Sequence, residues 1–162
     1  MIISYDSVAT LLVALGRKFD LTAVSQYDED QSWLIEVGED LEIIVTYRED
    51  EAALRLEGMV GPLGDNDREA TFGFLLQYNR FWRETGGTYL SLTPDTGEVI
   101  LMRDMTLMNL DGARLDDTVG QFIHVIASLR GMLRIGTMST GATVNTATTA
   151  QPAQGDEHLM RI

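Results

Sequence analysis

The segment between residues 32 and 60 constrains the fold most, because apolar and polar residues alternate there in three consecutive runs. The runs are SWLIEV, LEIIVTYR and AALRLEGM, joined by the short acidic segments VGEDLE and REDEA. Alternation with a period of two places apolar side chains on one face of a strand, and short connections join antiparallel strands. The sequence therefore predicts an antiparallel sheet with one buried face. The predicted inward residues are Trp33, Ile35, Val37, Leu41, Ile43, Val45, Tyr47, Leu54 and Leu56.

A second hairpin is predicted further along the chain. GGTYLSLT and EVILMRDM are strand-like, and the turn PDTG between them carries Pro94 and Gly97. Proline presets the backbone for the start of a turn, and glycine tolerates the left-handed conformation that closes one. These segments add two antiparallel strands to the predicted sheet.

Three helices are predicted, over residues 4–18, 68–84 and 115–134. Ser4 or Asp6 caps the first helix. Asp116 or Asp117 lies near the start of the last helix, where a negative charge interacts favourably with the positive end of the helix dipole. The resulting order is α-β-β-β-α-β-β-α, which places the chain in the α+β class with a twisted antiparallel sheet. The buried stripe of the first helix is Val8, Leu11, Leu12, Leu15 and Phe19. The buried stripe of the last helix is Leu115, Val119, Phe122, Ile126, Leu129 and Leu133.

The chain changes character near residue 135. The stretch GTMSTGATVNTATTAQPAQG is rich in threonine, alanine and glycine and holds no aromatic residue. Such a stretch buries too little apolar surface to offset the entropy lost on ordering. We expect one domain over residues 1–135 and a disordered low-complexity tail over 136–162.

The charge balance argues against nucleic acid and anionic membranes as partners. The chain has 25 acidic and 12 basic residues and a net charge of −13. Binding to phosphate needs clustered cations, whereas Lys18 is the single lysine and the arginines are scattered. No apolar run approaches the ~20 residues of a membrane span, and no basic segment precedes the first apolar stretch.

The sequence nominates no catalytic, metal-binding or cofactor-binding residue. There is no cysteine, and the two histidines, His124 and His158, lie far apart. The acidic loop 28–39 resembles a calcium loop but carries Trp33 where the turn needs glycine, and the loop 65–76 fails similarly. We expect no enzymatic activity and no cofactor. Two alternatives stay open: an enzyme that uses paired carboxylates, and an acidic mimic of DNA.

The second helix has two apolar faces. Phe72, Leu75, Leu76 and Asn79 cluster on one side, with Trp82 at its edge. Phe74, Tyr78 and Phe81 cluster about 130° away. One face suffices to pack a helix on a sheet, so the second needs another partner. That partner is either a second copy of the chain or another element of the same domain.

The ordered set of segments resembles the class I chaperones of bacterial type III secretion, the Tir chaperone or CesT-like family. The resemblance covers residues 4–134. It rests on the opening helix TLLVALGRKFDL, the strands WLIEV, LEIIVTY and AALRLEGMVGPL, the Leu-Leu-x-x-Asn element in FGFLLQYNRF, the hairpin GGTYLSLTPDTGEVILMRDM and the closing helix VGQFIHVIASLRGML.

The resemblance implies a cytoplasmic bacterial protein that forms a homodimer through its second helix and a neighbouring strand. Family members bind the non-globular N-terminal region of a secreted effector, keep it soluble and help deliver it to the secretion ATPase. They have no enzymatic activity and need no cofactor. An adaptor of the same fold that binds a folded partner is the alternative.

Two groups of residues are the expected contacts. The homodimer contact is expected at Phe74, Tyr78, Phe81, Trp82 and Leu90. The effector contact is expected at Val13, Leu34 and Ile44, because each of these three is apolar yet lies off the main face of its element.

Overall fold

Three helices and a six-stranded antiparallel sheet make up the computed structural model, which describes residues 2–16, 21–63 and 68–135, without the side chains of 134 and 135. The α+β class and the antiparallel sheet predicted from the sequence are confirmed, with one additional strand near the start. The elements are α1 (Tyr5–Leu15), β1 (Leu21–Tyr27), β2 (Ser32–Val37), β3 (Leu41–Arg48), β4 (Ala53–Pro62), α2 (Arg68–Arg80), β5 (Thr88–Leu92), β6 (Glu98–Thr106) and α3 (Gly112–Ile135).

The strand order in the sheet is β1-β2-β3-β4-β6-β5, and every neighbouring pair is antiparallel. The first four strands follow the chain as a meander. Helix α2 then separates β4 from β5, and the hairpin returns so that β6 pairs with β4. As a result, β1 and β5 form the two edges of the sheet.

The strand β1 is the element that the sequence analysis did not predict. Its seven residues, LTAVSQY, are all exposed or half-buried, so no alternation of apolar and polar residues marks them. Because β1 lies at an edge and pairs only with β2, it needs no buried stripe.

The boundaries of all three helices differ from the predicted ones. Helix α1 ends at Leu15 with Gly16 as its C-cap, α2 ends at Arg80 rather than at residue 84, and α3 begins three residues early. Ser4 caps α1 as expected, since its Oγ accepts from the N–H of Ser7 at 3.3 Å. Phe19 and the expected tail at 136–162 lie outside the described residues.

The core lies between the inner face of the sheet and the helices. Trp33, Ile35, Ile43 and Val45 are at most 1% exposed, as the alternation predicts. Helix α3 approaches β4 closely at Gly58, where an added Cβ would lie 2.2 Å from Ile126 Cδ1. A glycine at this position therefore sets the distance between α3 and the sheet.

The outer face of the sheet carries a polar network at one end. Arg55 donates from Nε and Nη2 to the two carboxylate oxygens of Asp104, at 2.7 and 3.1 Å. The hydroxyl of Tyr89 donates to the same carboxylate at 2.9 Å. Burial, followed by the hydrogen bond to Asp104, raises the pKa of Tyr89 to about 12. Three strands, β4, β6 and β5, are joined by this network.

Replacing Asp104 with asparagine is expected to lower the free energy of unfolding by about 1 kcal/mol or less at pH 7, because Asp104 is partly exposed and solvent screens its interactions. Burial raises the pKa of Asp104, but the hydrogen bonds from Arg55 and Tyr89 outweigh it and the net shift is downward. A carboxylate whose pKa is lower in the folded than in the unfolded state stabilises the fold at pH values above its unfolded-state pKa. This stabilisation is lost as the pH falls through the folded-state pKa. Urea unfolding measures the free energy of unfolding of wild type and D104N at pH 7 and at pH 3 or below. The difference between the two proteins should be smaller at acid pH, and a difference independent of pH would contradict this.

Candidate protein-binding surfaces

Helix α2 packs on the sheet with the side that carries Thr71 and Leu75, which are 5% and 7% exposed. Phe74 and Tyr78, half-buried, flank this side and pack against the core. The hydroxyl groups of Tyr78 and Thr88 are 2.6 Å apart, which ties α2 to β5. Burial raises the pKa of the Tyr78 hydroxyl.

The five residues expected at a dimer contact fall into two groups. Phe81 and Trp82 follow α2 and are 47% and 51% exposed. Phe74, Tyr78 and Leu90, by contrast, pack in or against the core of the same chain, and Leu90 is only 4% exposed. Buried and half-buried side chains have less apolar area left for a second copy than exposed ones.

Two residues of the other helical face are exposed instead. Phe72 is 39% and Leu76 is 72% exposed. Together with Phe81 and Trp82 they form what we call the α2 ridge. The guanidinium groups of Arg80 and Arg83 lie 5.8 and 5.3 Å from the Phe81 and Trp82 ring centres. The buried side of α2 takes residues from both predicted faces, since Leu75 is buried and Tyr78 and Asn79 both bond to β5.

Asn79 covers part of the β5 edge. Its side-chain amide donates to the carbonyl of Leu90 at 2.9 Å and accepts from the N–H of Leu90 at 2.7 Å. A side-chain amide thus occupies the backbone groups with which an added strand would pair. The Asn of the Leu-Leu-x-x-Asn element therefore anchors α2 and closes this edge at Leu90.

Replacing Asn79 with leucine is expected to destabilise the fold by about 1–3 kcal/mol, because both backbone groups of Leu90 lose their partners. The uncovered edge should also promote aggregation. Urea unfolding and light scattering measure the two effects. Gln77→Leu, at an exposed position of the same helix, is the control; equal losses in both variants would refute the role of Asn79.

Leu34 and Ile44, both expected to contact an effector, lie side by side on the outer face of the sheet. They are direct partners in the β2–β3 register, and Ile44 is 45% exposed. The register continues this line across all six strands, which we call the outer sheet row. Its members are Ser25, Leu34, Ile44, Glu57, Met102 and Tyr89.

Val13, the third expected contact, lies elsewhere. It is 61% exposed on α1, and α1 packs on the inner face, where Tyr5 stacks on Trp33 with ring centres 4.7 Å apart. The sheet therefore separates Val13 from the outer sheet row. Only an extended partner that passes around an edge of the sheet would contact both places.

Within the described residues, no three histidine, aspartate or glutamate side chains are grouped so that they could hold a metal ion. His124 lies exposed on α3. None of the described helices is long and apolar enough to span a membrane. Among the described residues, the apolar or unpaired surfaces open to a polypeptide include the α2 ridge, the outer sheet row and the open edge at β1.

Comparison with known proteins agrees with this architecture. A search of curated proteins found no match. Among solved structures, the ExsC-ExsE complex matches with a TM-score of 0.68 at 19% identity, over 82% of this chain and 97% of the other. The HopA1-SchA chaperone-effector complex matches with a TM-score of 0.60 at 14% identity, over 76% and 93%. These likenesses support the fold.

The family model of the Tir chaperone protein (CesT) family matches residues 10–130, which include seven of the nine elements in full, half of α1 and most of α3. The match runs through the segments on which the resemblance in the sequence rests, from the opening helix to the closing one. The chain belongs to the Tir chaperone protein (CesT) family.

Proposed function

We propose that this protein is a type III secretion chaperone that binds the non-globular N-terminal region of one or more effectors. It keeps them soluble and competent for secretion in the bacterial cytoplasm, acts without enzymatic activity, and hands its client to the secretion ATPase. The match of the CesT family model to residues 10–130 carries this proposal. The similarity in fold to the HopA1-SchA chaperone-effector complex supports it.

The proposed client path begins on the outer sheet row. Leu34 and Ile44 offer apolar contacts there. The neighbouring strand β1 forms an edge of the sheet and, among the described residues, pairs with no strand other than β2. An extended client gains main-chain hydrogen bonds at such an edge and apolar contacts beside it. From this edge, the client continues to Val13 on the other side of the sheet.

The proposed homodimer forms through the α2 ridge. Its four exposed large apolar side chains lie close together in sequence, and aromatic residues are enriched in the cores of interfaces. Phe74, Tyr78 and Leu90, which the sequence also nominated, pack in or against the core of the same chain. The net charge of −13 keeps a chain with such exposed apolar groups soluble.

A pull-down from the native cytoplasm, followed by limited proteolysis of the complex, tests the chaperone function. We expect one secreted protein held through a protected N-terminal segment of some tens of residues. A folded partner without such a segment would favour an adaptor of the same fold. A complex that dissociates in moderate salt would favour an acidic mimic of DNA.

Replacing Ile44 with aspartate is expected to weaken effector binding at least about tenfold, because a charge replaces an apolar contact on the client path. Titration of the captured N-terminal segment by calorimetry measures the change. Met108→Asp, at an apolar position 56% exposed on the loop before α3, is the matched control. Equal affinities of I44D and wild type would remove the outer sheet row from the client path.

A further inference from the structure

A pocket of about 520 Å³ opens between α3 and the turn that joins α2 to β5. Helix α3 contributes Gln121 and His124, the turn contributes Glu84, and β6 contributes Arg103. The pocket is separate from the outer sheet row, because the side chain of Arg103 belongs to the inner face.

Arg103 occupies a position where the neighbouring residues are apolar or buried. On β6 it alternates with Leu101 and Met105, which are 0% and 8% exposed, and it is itself half-buried. Its cross-strand partners are Leu56 and Thr88, both at most 1% exposed. Burial lowers the pKa of the Arg103 guanidinium. A cation partly removed from water is costly unless an anion compensates it.

In the part of the chain that the structure describes, the ion pairs involve Arg48, Arg55 and Arg130, and no carboxylate lies within 4.0 Å of the Arg103 nitrogens. Glu84 lines the same pocket but is exposed and forms no ion pair with Arg103. The hydrogen bond of Arg103 runs from Nη1 to Oε1 of Gln121 at 3.2 Å. A guanidinium has further N–H groups in a fork that matches a carboxylate.

The other polar groups of the pocket complete a set of donors. Because Oε1 of Gln121 accepts from Arg103, the amide NH₂ of Gln121 is left to donate, and the ring of His124 carries at least one N–H. The hydroxyls of Thr85 and Thr88 instead donate to backbone carbonyls of the same turn. The pocket thus offers hydrogen-bond donors around one cation.

We propose that this pocket binds a carboxylate, and that its ligand is a glutamate or aspartate side chain of a bound polypeptide, held mainly by Arg103. The choice of a polypeptide as carrier rests on the proposed function, whereas the choice of a carboxylate rests on the pocket. Glu84 lies exposed at the rim and repels the ligand, so it weakens binding without being part of the donor set.

Two capped tripeptides test the proposal on the wild-type protein. Acetyl-Ala-Glu-Ala-amide carries one carboxylate, and acetyl-Ala-Gln-Ala-amide is its neutral match. Titrations are followed by NMR at the Arg103 Nε–Hε and Gln121 side-chain amide signals. The glutamate peptide should give saturable shifts and the glutamine peptide a response at least about fivefold weaker. Equal responses, or none, would overturn the proposal without any variant being made.

Variants locate the site. Arg103→Gln should weaken binding of the glutamate peptide at least about tenfold, as measured at the Gln121 amide signals. Arg68→Gln removes an equal charge at an exposed position and should change the affinity for this peptide by less than about twofold. Glu84→Gln should strengthen it. If R103Q and R68Q act alike, general charge attraction explains the binding and the pocket does not. No effector takes part, so failure here leaves the chaperone function standing.

Discussion

Replacing Leu76 and Trp82 together with aspartate is expected to convert a dimer into a monomer with the 18.0 kDa mass of the single chain. Both side chains are more than half exposed in one subunit, so their replacement leaves the core intact. In the proposed dimer, each aspartate would be desolvated against the apolar residues of the partner. The dissociation constant should rise by about a thousandfold or more, which corresponds to about 4 kcal/mol.

Sedimentation equilibrium of wild type and variant measures this change. Gln77→Asp adds a charge at an exposed position about 100° around α2 from Leu76 and should remain dimeric. Aspartate at Phe74 is a poor test, because Phe74 packs against the core of its own subunit and the variant would unfold. A monomeric wild type, or a dimeric L76D/W82D variant, would refute the dimer through the α2 ridge.

Replacing Gly58 with valine is expected to cost about 3 kcal/mol of stability or more, because the site has no room for a side chain. An added Cβ would lie 2.2 Å from Ile126 Cδ1 and 3.2 Å from Phe122 Cε1. Ile126 and Phe122 are both fully buried, so either Ile126 takes a less favourable rotamer within the packed core or α3 shifts away from β4. The melting temperature should fall by about 10 °C.

Thermal unfolding at one fixed protein concentration measures the loss, since oligomers unfold in a concentration-dependent way. Gly131→Ala is the control on α3, where an added Cβ has nothing within 4 Å; it should stabilise the helix by about 0.5–1 kcal/mol. Combining Gly58→Ala with Ile126→Ala should cost less than the sum of the single changes. Strict additivity would show that contact with Ile126 does not limit residue 58.

The core of this protein was predictable because its residues follow strong periods. Trp33, Ile35 and Ile43 alternate with outward residues, and each is at most 1% exposed, as expected. The strand β1 was not predictable in the same way. It is held by hydrogen bonds to β2 at an edge, and no side-chain pattern accompanies such pairing.

The candidate surfaces were only partly predictable. The sequence placed Phe81 and Trp82 among the dimer contacts, and both side chains are about half exposed. It also placed Phe74 and Tyr78 there, and these two pack against the core of the same chain. Leu34 and Ile44 were singled out separately, and the β2–β3 register makes them neighbours.

The sequence by itself determined the α+β class, the buried face of each central strand and the family, because these depend on local periods and on the order of segments. Only the tertiary structure decided that the buried side of α2 takes residues from both predicted faces, since Tyr78 pairs with Thr88 and Asn79 with Leu90, contacts that depend on where β5 lies. The tertiary structure also decided the surroundings of Arg103. Strand pairing places this cation between Leu56 and Thr88, and the packing of α3 brings Gln121 to it, whereas no local sequence pattern indicates these contacts.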